Sequence, residues 1–102
     1  MGLKAAFVFV APEAEATKHR AVIETPVVEL TVVGVKNYAE AVAVSRELAE
    51  QGIVAIELCA GFGVEGVAAV KKAVGNKAAV GVVRFDTHPG LEFKSGDDIF
   101  GM

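Results

Sequence analysis

IVAIELCA at residues 53–60, GFGVEG at residues 61–66 and VEGVAAVKKAV at residues 64–74 decide how this chain folds. The first is a short apolar run with β-branched residues, the pattern of a strand buried on both faces. The last sets Val64, Val67, Ala68, Lys71 and Val74 on one helical stripe. Lys71 and Lys72 fall in its final turn, where the helix dipole favours cations, and Gly75 ends it. A buried strand, a glycine loop and an amphipathic helix in that order form one half of a parallel crossover unit.

Three similar runs surround this unit. Residues 4–11 (KAAFVFVA), 27–35 (VVELTVVGV) and 78–85 (AAVGVVRF) read as further buried strands. Residues 37–51 read as a helix. Asn37 caps it, with Glu40 three residues on as in a capping box, and Tyr38, Ala41, Val42, Ser45, Leu48 and Ala49 share a face. Gly52 supplies the left-handed cap. Residues 12–26 are less regular. Glu13 and Glu15 ahead of Lys18, His19 and Arg20 suit a short helix, and so does Thr17 as a cap of one running to Glu24; Thr25-Pro26 breaks either.

The expected architecture is a single α/β domain over residues 1–102. A four-stranded, mainly parallel sheet in order 2-1-3-4 carries helices on both faces, the truncated form of a doubly wound arrangement. A ferredoxin-like α+β fold and a half (β/α) barrel are the alternatives. Residues 86–102 read as an irregular arm with a short turn of helix at 97–100. Its Leu91, Phe93, Ile99 and Phe100 call for packing on the core or on a partner.

Composition narrows function by exclusion. The chain has 102 residues, 53% apolar and 23% charged, with net charge −3. That is ample apolar content for one core and excludes a disordered or collagen-like chain. Mild acidity argues against nucleic acid as a partner. The longest uncharged stretch, residues 5–12, is far short of the ~18 residues of a membrane helix, so no membrane partner is expected. Cys59 is the only cysteine, so no internal disulfide can form and a cytoplasmic setting is expected.

The glycine loop matches G-x-G-x-x-G, with Gly61, Gly63 and Gly66 at its fixed positions, Phe62 between the first two, and Asp86 twenty residues beyond Gly66. Such a loop brings backbone N–H groups and a helix N-terminus to a phosphate. It follows the third strand, however, and one βαβ unit is too little for a dinucleotide fold. A smaller anion and a plain tight turn both fit, and no cofactor is expected. Glu57 within IVAIELCA needs a partner or a ligand, because an unpaired buried charge is costly. Arg84 on the neighbouring strand is the candidate for a buried pair, and Glu57, Arg84 and Asp86 together are the candidate polar floor of a ligand site. Cys59, at the same strand ends as His88, is the candidate nucleophile; a packed, inert thiol is the alternative. His19, His88 and Asp86 match no strong metal-ligand spacing, and no metal site is expected.

Three stretches carry a resemblance: KHRAVIETP (18–26), AIELCAGFG (55–63) and VVRFD with HPG (82–86, 88–90). On them the chain resembles a family of small uncharacterised prokaryotic proteins, a domain-of-unknown-function family. The resemblance covers most of the chain, implies that it is complete, and brings no catalytic residues. Three functions are therefore expected as competitors: a homo-oligomer, dimer favoured, that binds a small anionic or phosphorylated metabolite at the glycine loop; a thiol enzyme using Cys59 with His88; and a structural or interaction subunit.

Overall fold

The computed structural model describes residues 2–85 and 87–101. Five strands are present: β1 (Leu3–Val10), β2 (Arg20–Glu24), β3 (Val28–Val35), β4 (Ala55–Leu58) and β5 (Ala79–Val82). The helices are α1 (Tyr38–Glu50), α2 (Val64–Val74) and the short α3 (Gly96–Phe100), with one 3-10 turn at Pro89–Leu91. The sheet runs β2-β3-β1-β4-β5. β3, β1, β4 and β5 pair in parallel, in the order expected from the sequence, and β2 adds an antiparallel edge. The ferredoxin-like alternative fails on these parallel central pairs. Among the described residues no helix is long and apolar enough to cross a membrane.

Two details depart from expectation, and they have one cause. Residues 12–26 hold no helix. The charged stretch closes a single turn instead, in which the Lys18 and His19 N–H groups donate to the Glu15 carbonyl at 3.0 and 2.7 Å. Ala21, Val22 and Ile23 then extend as β2, whose register sets Val22 beside Thr31. With no helix in this connection, no helix among the described residues covers the second face of the sheet. The two helical crossovers, β3–α1–β4 and β4–α2–β5, both step toward β5. Right-handed connections in one direction place both helices on one face. α1 and α2 accordingly pack against each other over a common core.

That core lies between the helices and alternate strand residues. Ala6, Val8, Val33, Val35, Ile56 and Leu58 point up from the sheet to meet Tyr38, Leu48, Val70 and Val74, all buried. Asn37 caps α1 as its spacing predicts, accepting from the Glu40 N–H at 2.9 Å. Glu40 returns the contact to the Lys36 N–H at 2.9 Å, one residue outside a strict capping box. The intervening strand residues form the opposite face. In register there lie Ala21, Val32, Phe7, Glu57 and Gly81, one from each strand. A side-chain carbon on Gly34 would collide with the ring of Phe9, whose far end therefore reaches over that glycine.

Candidate functional site

α2 starts at Val64 without a side-chain cap from Gly63, so its first N–H groups must find acceptors elsewhere. They find them in α3, which starts thirty-two residues on. Asp97 Oδ2 accepts from the Glu65 N–H at 3.0 Å, and Oδ1 from the Gly66 N–H at 3.2 Å. Asp97 Oδ1 also accepts the Tyr38 hydroxyl at 2.8 Å, and that hydroxyl accepts from the Gly63 N–H at 2.9 Å. A carboxylate at the positive end of a helix is favoured by the dipole and by these charge-assisted bonds. Burial pushes the Tyr38 hydroxyl well above its ordinary pKa of 10.0, and the hydrogen bond to Asp97 pushes the same way against the Gly63 N–H. Tyr38 stacks on Phe62 at 5.5 Å between ring centroids and meets Phe100 at 6.4 Å, so the arm is pinned by aromatic contact as well.

The glycine pattern follows from this clamp. A side-chain carbon on Gly63 would strike Asp97 and Ser95, one on Gly66 would strike the Tyr38 ring, and one on Gly96 would strike the Gly61 carbonyl. The Phe62 N–H donates to the Cys59 carbonyl at 3.1 Å, closing a tight turn. The expectation that this loop turns its N–H groups to an open site is thereby corrected at Phe62 and Gly63. Asp97 stands where an external anion would sit.

Beside the clamp is a groove of about 390 Å³ at the C-terminal edge of the sheet. Phe62, Val64, Val67 and Ala68 form one wall, and Val82 and Phe85 the other. Gly63, Arg84 and Ser95 complete it with the polar contributions. Val64, Val82 and Phe85 are large apolar residues left exposed there. Edges of this kind, at the carboxyl ends of parallel strands, are where open α/β sheets take ligands. The sequence profile of a family of unknown function, DUF6506, matches residues 3–98, from the first strand through the clamping aspartate. The chain belongs to the DUF6506 family. No curated protein and no solved structure matches it.

The residues singled out from the sequence of this DUF6506 chain are distributed, not gathered. Phe62, Gly63 and Arg84 line the groove, whereas Gly61 and Gly66 serve the clamp. Asp86 lies outside the described residues. Glu57 is exposed on the uncovered face, in register with Phe7 and Gly81. Arg84 follows Val82 on the helix-covered side, so the expected Glu57–Arg84 pairing is corrected: the two lie on opposite faces. Cys59 is half-buried, its Sγ accepting from the N–H groups of Val10 at 3.4 Å and Gly61 at 3.3 Å. His88 is held elsewhere, with Nδ1 accepting from the Gly90 N–H at 2.9 Å and its ring stacked on Phe85 at 5.0 Å. His19 serves the turn before β2, its Nδ1 accepting from the Glu15 N–H at 2.9 Å. Tyr38, Ser95, Asp97 and the groove walls were not legible as site residues. Tyr38 reads as one more member of a buried helical stripe, and no spacing rule links Asp97 to a helix that starts thirty-three residues before it.

Proposed function

We propose that this DUF6506 protein is a binding module for a small metabolite with an apolar body and an anionic end. The observation that carries the reading is the groove itself, about 390 Å³, with apolar walls from α2 and the end of β5 and Arg84 among its lining residues. A pocket of that size, mostly apolar with few polar groups, suits a small organic molecule. The anionic preference passes from the loop amides, which serve Tyr38 and Asp97, to Arg84, whose planar fork matches a carboxylate or phosphate ester. The reading takes the protein as a homo-oligomer, with a dimer favoured, and as cytoplasmic, where the free thiol of Cys59 stays reduced.

Thermal-shift titration with medium-chain and aryl carboxylates, their phosphate esters, nucleotides and inorganic phosphate tests it. A matching ligand at a hundredfold excess over Kd stabilises the fold by about 2.7 kcal/mol. Ala68→Trp fills the groove and removes the shift, while Arg84→Met weakens anionic ligands and spares neutral analogues. No shift with any organic anion, or an equal shift in Ala68→Trp, overturns the reading.

A further inference from the structure

The uncovered face of the sheet is a feature that neither the clamp nor the groove uses. Val32, Phe7 and Glu57 lie side by side across it, with Ile23 and Leu30 in one flanking row and Phe9 in another. The far end of the Phe9 ring reaches over Gly34, which has no side chain in its way. Both α1 and α2 pack on the other side. Strands spaced ~4.8 Å apart and rising ~3.3 Å per residue give the face of these 29 strand residues roughly 460 Å². That is the size of the one large apolar patch a monomer leaves exposed, about 300–600 Å².

We propose that a second copy of this chain covers this face, the two sheets packing face to face about a two-fold axis. Two such faces bury about 900 Å² together, close to the ~1,000 Å² of a specific interface and the size of a weak, concentration-dependent one. Charge favours a copy over a charged partner. Among the described strand residues, Glu57 is the sole charged side chain on the face. It stands on β4, off the central strand β1, beside Gly81, above which there is open space. Its carboxylate can lean across Gly81 toward solvent, leaving an apolar centre and a polar rim. A basic or acidic partner would find one charge at the margin and nothing to match. A copy finds apolar centre against apolar centre, as in the aligned packing of two sheets ~10 Å apart.

This inference deepens the homo-oligomer reading and is independent of the groove. Light scattering of the full chain at micromolar concentration, with carbene footprinting of the same sample, tests it. The expected result is twice the chain mass of 10.6 kDa, with Phe7 and Phe9 protected from labelling and released on dilution. Val32→Lys is expected to give a folded monomer, checked by circular dichroism; should it not fold, the footprint of the unmodified protein decides. A monomer at every concentration overturns both the face-to-face dimer and the homo-oligomer reading. An oligomer in which Phe7 and Phe9 label as they do on dilution overturns this inference alone.

Discussion

Asp97 ties together three segments that are far apart in the chain, and its neighbours show how single atoms set stability. Its two oxygens receive the Tyr38 hydroxyl and the N–H groups of Glu65 and Gly66. Asp97→Ala orphans donors at a partly buried helix end, so urea denaturation should show a loss of about 2–3 kcal/mol. Tyr38→Phe removes an acceptor from the Gly63 N–H and should lose about 1–3 kcal/mol. The tyrosine also sets a pH dependence. Its hydroxyl ionises near 10.0 when unfolded and higher when folded, so its contribution is complete below pH 10 and is lost as pH rises beyond it. Melting curves from pH 9 to 11 should fall less steeply for Tyr38→Phe than for the unmodified protein. Ser45 predicts the opposite sign. Its hydroxyl is fully buried on α1 without a hydrogen-bond partner among the described residues, so Ser45→Ala should raise stability by about 1 kcal/mol.

Among the elements, the arm and β2 show what a linear pattern can and cannot carry. Gly96→Ala drives a side-chain carbon into the Gly61 carbonyl and should lift α3 from α2. Hydrogen exchange at the Glu65 and Gly66 amides should then accelerate toward the rate of unprotected amides, while exchange within β1 stays slow. The four parallel strands were legible because buried strands read as unbroken apolar runs, and their order followed from connection length and handedness. β2 was not, because five exposed residues beside a charged turn carry neither a strand's alternation nor a buried run. The glycine loop was found at the right place with the wrong purpose. Its spacing records close approaches, and a local pattern cannot say whether a phosphate, a tyrosine ring or the chain's own carboxylate makes the approach. The groove walls were legible only as core, since Val67 and Ala68 differ from buried residues by what stands opposite them, not by sequence.

At the scale of the whole molecule, the absence of a helix between β1 and β3 leaves a sheet dressed on one side. Glu57→Leu removes the one charge among the described strand residues of that bare side, and the proposed dimer should then dissociate at a lower concentration in dilution-series light scattering. The clamp has a consequence of another kind, for how damage to the molecule shows itself. Asp97 and Phe100 lie on one short segment, so a single proteolytic cut after Lys94 removes both. The amides of Glu65 and Gly66 lose their acceptor, and the ring of Tyr38 loses its contact with Phe100. A nicked chain that sheds this tail therefore bares the Tyr38 ring, which the intact tail seals.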